Sequence, residues 1–161
     1  MKKVKVVIID DEKETCKLMK KALENSGPYT VSTAYNAAQG QILCLQETPQ
    51  LIILDYVLPD GITGDRIIDL LRKDPQLNKV PVILISGLGE MKYIEKEDRW
   101  VWAPEIKSIP QDVPPVLKWH RTSEEVAQTM GAVYYLRKPF SKDRLVKVAD
   151  YVLEQKSKEE L

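Results

Sequence analysis

The chain has 161 residues, the usual size of one domain, and a domain of this size buries enough surface to fold without disulfides or a structural metal. Its 24 Lys+Arg balance its 24 Asp+Glu, so the basic excess of a nucleic-acid binder is missing. No apolar run reaches the ~18–20 residues of a membrane span, Val4–Ile9 is too short for a signal peptide and ends in acid, and Cys16 and Cys44 have neither metal-ligand spacing nor a disulfide framework. These features indicate a soluble, cytoplasmic globular domain.

Val4–Ile9 is β-branched and nearly unbroken, the pattern of a strand covered on both faces. From Glu12 the period changes: Thr15, Leu18, Met19, Ala22 and Leu23 recur at helical spacing until Gly27-Pro28. A second strand is predicted over Tyr29–Tyr35, and Asn36 caps a helix running to about Gln46. Leu51–Leu54 reads as a central strand. Pro59-Asp60-Gly61 signals a turn, and Gly64–Arg72 a helix carrying Ile67, Ile68, Leu70 and Leu71. Val82–Ile85 and Ala132–Leu136 supply two more strands, and Ser141 caps a last helix with Leu145, Val148, Ala149 and Val152 on one face. Five strands alternating with helices predict a doubly wound α/β sheet of parallel strands, whose ligand site lies beyond the carboxyl ends of the strands.

Ser86 and Lys138 stand much further apart than the ~25 residues that a loop, a helix and a strand require. Thr122-Ser123-Glu124-Glu125 reads as a capping box before the missing helix, which leaves Glu90–Arg121 as an insertion. It holds four prolines (Pro104, Pro110, Pro114, Pro115) and all three tryptophans, too aromatic a composition for a disordered linker. Two readings stay open: the tryptophans cover the domain's own apolar surface, or they form a docking surface.

The strand ends that face the site are reactive. Asp10 and Asp11 end the first strand, Asp55 the third, Ser86 the fourth and Lys138 the fifth. Converging carboxylates repel unless a cation sits among them, and all-oxygen ligands suit Mg²⁺. A carboxylate beside a divalent ion, a lysine and a hydroxyl is a place to form an acyl phosphate, since phosphoryl transfer depends on positioning and electrostatics.

The motifs Val-Val-Ile-Ile-Asp10-Asp11-Glu12, Leu-Ile-Ile-Leu-Asp55-Tyr-Val-Leu-Pro59, Val-Ile-Leu-Ile-Ser86-Gly87 and Tyr135-Leu-Arg-Lys138-Pro139-Phe140 follow in order. Together they resemble the receiver domain of two-component response regulators. The resemblance implies a flavodoxin-like five-stranded parallel sheet of order 2-1-3-4-5 with helices on both faces. It also implies that Asp55 is the phosphoacceptor and that Mg²⁺ is held by Asp11, Asp55 and the Val57 backbone carbonyl, with Asp10 holding a metal-bound water. Lys138 would pair with the phosphoryl group, Ser86 would swing toward it, and Tyr135 would follow as a switch. The Lys138-Pro139 peptide is usually cis in this family. Such a domain is a signalling phosphoacceptor that catalyses only its own phosphorylation and dephosphorylation.

Each residue has a plainer reading: Asp10-Asp11 as a helix-dipole partner, Ser86 as a turn residue, Lys138 as a surface charge, Tyr135 as packing. His120, alone in the insertion, has no ligand partners in the sequence. Residues 1–155 read as one receiver domain containing the insertion, with 156–161 a charged tail, either standing alone or cut from a larger regulator. The implied partners are a histidine kinase or phosphotransfer protein as phosphodonor and an output protein the sequence does not name, with a homodimer open and neither nucleic acid nor membrane. The resemblance implies that the positions of Val57 and Leu88 influence how readily water attacks the phosphoryl group; both are apolar here, which predicts slow self-dephosphorylation. The rival readings are an adaptor independent of phosphorylation that acts through the Trp/Pro-rich insertion, an aspartate phosphohydrolase, disfavoured by valine at 57, and a nucleotide-binding fold, disfavoured by the lack of a Gly-rich loop.

Overall fold

The computed structural model describes residues 2–59, 62, 64–86, 91–94, 99–102 and 134–160. The chain runs β1 (Val4–Ile9), α1 (Lys13–Ser26), β2 (Tyr29–Ala34), α2 (Ala37–Glu47), β3 (Leu51–Asp55), α3 (Gly64–Arg72), β4 (Val82–Ser86), β5 (Met91–Ile94), β6 (Arg99–Trp102), β7 (Tyr134–Arg137) and α4 (Lys142–Glu159). Five strands form one sheet in the order β2-β1-β3-β4-β7, and every pair in it is parallel. This is the flavodoxin-like order, with β7 in fifth place, as the sequence led us to expect.

Alternation along the strands separates two cores. Val7, Ile9, Ile52, Leu54, Val82 and Leu84 face one side, where Cys44 of α2 and Ile67, Ile68 and Leu71 of α3 cover them. Val6, Ile8, Leu51, Ile53, Ile83 and Ile85 face the other, beneath Met19 and Leu23 of α1 and Leu145, Val148 and Val152 of α4. A strand buried on both faces has no polar side, which is why these runs read as continuously apolar. A hydrogen bond from the Tyr29 hydroxyl to the Asp150 carboxylate joins β2 to α4.

The expected caps are present. The Asn36 side chain accepts from the Gln39 amide at 2.8 Å, and the Ser141 hydroxyl accepts from the Arg144 amide at 3.0 Å. Two helical stripes are narrower than their spacing suggests. Leu18 (54% exposed) and Leu70 (43%) lie outside the buried arcs of α1 and α3, because each successive residue turns ~100° and the sheet covers less than half of each helix. Residues 156–159 of the charged tail continue α4.

Within the insertion, β5 and β6 form a separate antiparallel pair, with Met91 opposite Trp102 and Tyr93 opposite Trp100. The sequence reading placed no element there. Gly87, Leu88, the rest of the Pro59-Asp60-Gly61 turn, His120, the capping-box helix and the start of the fifth strand at Ala132 lie outside the described residues. Among the described residues, no helix is long and apolar enough to cross a membrane.

Candidate functional site

Parallel strands that all point the same way deliver their last residues to one rim. Asp10 follows β1, and its amide donates to the Ala34 carbonyl at 3.0 Å, holding it at the end of the β1–β2 pair. Asp55 is the last residue of β3 and sits opposite Ile85 of β4. Ser86 closes β4 opposite Arg137 of β7, so Lys138 leaves the sheet at the same end.

Three carboxylates meet there. One oxygen from each of Asp10, Asp11 and Asp55 lies within 4.8 Å of the other two. Asp10 is fully buried, Asp55 nearly so, and Asp11 is exposed. The Lys138 ammonium lies 2.7 Å from Asp10 Oδ2 and 3.7 Å from Asp55 Oδ2. Lys138 therefore leans on Asp10 here, and its peptide to Pro139 is cis.

Asp10 is well supplied with donors. The Glu12 amide gives its Oδ1 a hydrogen bond at 2.9 Å, while Lys138 occupies Oδ2. The buried Cys16 thiol donates to the Asp10 carbonyl at 3.3 Å. Asp55 is less well compensated. Burial and the Asp10 charge push its carboxyl up to about 7, with a smaller push from Asp11, against the opposing pull of Lys138 and a backbone hydrogen bond from Val57. Burial alone would lower the Lys138 ammonium, but its hydrogen bond to Asp10 and the charges of Asp55 and Asp10 hold it above the ordinary lysine value. Burial, reinforced by Asp10, drives the Cys16 thiol up to about 12, which keeps it protonated and unreactive.

Asp10, Asp11 and Asp55 together can hold a cation. An all-oxygen donor set that mixes one exposed and two buried carboxylates suits a hard divalent ion that keeps part of its water shell. A cation there would offset the burial and the like charges that raise the Asp55 carboxyl.

The predicted residues divide by what their placement shows. Asp10, Asp11, Asp55 and Lys138 are brought together. Val57, two residues past Asp55, stands at the rim with its side chain 46% exposed. Ser86 and Tyr135 hold their strand positions, Tyr135 opposite Leu84. Three contributors escaped the sequence reading: the Glu12 amide, the Cys16 thiol and Gly64, whose amide donates to the Tyr56 carbonyl at 2.7 Å. Cys16 sits one turn into α1 at a buried-face position, and that was the available hint.

A five-stranded 2-1-3-4-5 sheet with an acid triad and a lysine at its carboxyl rim defines a receiver-type domain. The family model of the response regulator receiver domain matches residues 6–97, and the chain belongs to that family. The matched stretch takes in Asp10, Asp11, Asp55 and Ser86 but ends before Lys138, which the fold brings back to them. The DNA-binding dual master transcriptional regulator RpaA of Synechocystis is 34% identical over 88 residues, 55% of this chain and 36% of RpaA. The chain thus matches only about a third of that regulator's length. Protein PilH of Pseudomonas aeruginosa is 26% identical over 149 residues, covering 92% of this chain and 97% of PilH. A CheY-like receiver domain protein from Methanospirillum hungatei superposes with a TM-score of 0.70 at 20% identity over 98% of both chains, a likeness of fold.

Proposed function

We propose that this receiver domain accepts a phosphoryl group on Asp55 in a Mg²⁺-dependent reaction, and that the phosphorylated form alters its contacts with a partner protein. The observation that carries the reading is the convergence of Asp10, Asp11 and Asp55 within 4.8 Å, with Lys138 at 2.7 and 3.7 Å from two of them. Asp11, Asp55 and the Val57 carbonyl would hold the ion, with Asp10 on a bound water. Bound Mg²⁺ supplies charge neutralisation on the phosphoryl oxygens.

In the transfer, an Asp55 carboxylate oxygen attacks phosphorus, and the bond from phosphorus to the donor's imidazole nitrogen breaks with its electron pair staying on nitrogen. Lys138 would shift from Asp10 toward the new negative charge, and Ser86 would donate its hydroxyl to a phosphoryl oxygen. Tyr135, on the same strand as Lys138's neighbour Arg137, would report the change to the surface. The donor class is a histidine kinase or a phosphotransfer protein. With a cation held beside it, Asp55 would be ionised and would need no separate general base. The unit that acts is residues 1–155, with the Glu90–Arg121 insertion inside it.

Intact-mass measurement after incubation with acetyl phosphate and Mg²⁺ tests this. One added phosphoryl group is expected on the wild type, and none on Asp55→Asn or in EDTA. Labelling that survives either change would overturn the assignment.

A further inference from the structure

Gly64 opens α3, and its backbone lies against the peptide that follows the phosphoacceptor. Its amide donates to the Tyr56 carbonyl at 2.7 Å, while the Tyr56 amide donates to the Ile85 carbonyl of β4 at 2.9 Å. Tyr56 is therefore pinned from both sides, between Asp55, which would bear the phosphoryl group, and Val57, whose carbonyl would face the ion. A Cβ at position 64 would sit 2.8 Å from Leu84 Cδ1, 3.1 Å from Tyr56 Cα and 3.4 Å from the Asp55 carbonyl oxygen. The Leu84 methyl is the tip of a side chain and can turn away. Tyr56 Cα is backbone and can move only by carrying Asp55 and Val57 with it. At Gly40, by contrast, the three atoms nearest to an added Cβ all belong to the Ile9 side chain.

We infer that Gly64 is a positioning residue for the acid site: its bare backbone lets α3 close on Tyr56 and so fixes where the Asp55 carboxylate and the Val57 carbonyl stand relative to Asp10 and Asp11. This rests on the Mg²⁺-binding reading given above. Gly64→Ala displaces the Tyr56 backbone by a few tenths of an ångström. Residues that orient metal ligands weaken metal affinity by about 10-fold or more when they are changed.

The test is Mg²⁺ titration of the full ¹⁵N-labelled chain, followed through backbone amide shifts, for the wild type, Gly64→Ala and Leu77→Ala. Leu77 is buried in the connection entering β4, at the opposite end of the sheet, so its loss lowers stability without touching the acid rim. The expected result is a Kd about 10-fold weaker for Gly64→Ala and unchanged for Leu77→Ala. Should Gly64→Ala fold poorly, Gly64→Ala/Leu84→Ala is compared with Leu84→Ala alone, which relieves the side-chain contact and leaves the one with Tyr56 Cα; the same ratio is expected. Equal affinities within either comparison, or an equal loss in Leu77→Ala, would overturn the role of Gly64. A wild type that shows no saturable Mg²⁺ binding would overturn the metal-site reading, and the Gly64 role with it.

Discussion

Replacing Asp55 by asparagine should stabilise the metal-free protein progressively as the pH rises above about 4. Burial and the Asp10 charge raise the Asp55 carboxyl from 3.8 to about 7. A carboxyl raised on folding binds its proton more tightly in the folded state. Its stabilising contribution is therefore complete below the unfolded value near 4 and is lost as the pH climbs through about 7. At about 1.4 kcal/mol per pH unit, the ionised Asp55 costs the fold about 4 kcal/mol at most by pH 8. Asparagine keeps the shape and carries no charge. In EDTA, urea unfolding of Asp55→Asn and wild type should coincide at and below about pH 4, diverge steadily above it, and level off near pH 7 at about 2–4 kcal/mol in favour of the variant. Saturating Mg²⁺ should narrow or reverse the gap, because ligand binding stabilises the wild type by about 2.7 kcal/mol at 100 times its Kd. Parallel pH profiles in EDTA, or a wild type more stable than the variant above pH 7, would refute the picture of an under-compensated acid cluster.

Lys138→Met removes the partner of the buried Asp10 carboxylate and should destabilise the metal-free fold by about 3 kcal/mol at pH 8, read from urea midpoints. Acidification or Mg²⁺ should recover part of that loss. Thr48 ends α2 with φ 45°, in the left-handed region that disfavours a β-branched residue. Thr48→Gly should raise stability by about 0.5–1 kcal/mol in the same assay. Val57 places an apolar side chain at the rim, where it cannot orient an attacking water by hydrogen bonding. Val57→Asn should shorten the lifetime of the phosphorylated chain severalfold, measured by loss of the added mass after the donor is removed, and an unchanged decay would contradict the idea.

The sheet was legible because its strands are buried on both faces: Val6–Ile9, Leu51–Leu54 and Val82–Ile85 have no polar residue to confuse the period. The acid rim was legible for a related reason, since each of these runs ends abruptly in Asp10, Asp55 or Ser86. What sequence could not supply was pairing at a distance. Nothing in the chain says that Lys138 leans on Asp10 more closely than on Asp55, because that choice depends on the approach of β7 to β4 and on the Glu12 amide taking the other Asp10 oxygen. The contribution of Cys16 was hidden by its resemblance to any small core residue. Gly64 read as the start of a helix, and its close approach to Tyr56 exists only once α3 is packed on the sheet. The β5–β6 pair escaped because four-residue strands are too short for an alternating pattern to stand out, although Tyr93, Trp100, Val101 and Trp102 are all strand-favouring types.

The most direct test of Asp55 as phosphoacceptor is chemical. An aspartyl phosphate is reduced by borohydride to homoserine, whereas phosphoserine, phosphothreonine and phosphotyrosine are not. Treating the chain with acetyl phosphate and Mg²⁺, reducing it and mapping the peptides should reveal homoserine at position 55 and nowhere else, with none in samples prepared in EDTA. Homoserine at Asp10 or Asp11, or an unmodified Asp55 in a folded chain that has gained phosphate elsewhere, would contradict the assignment.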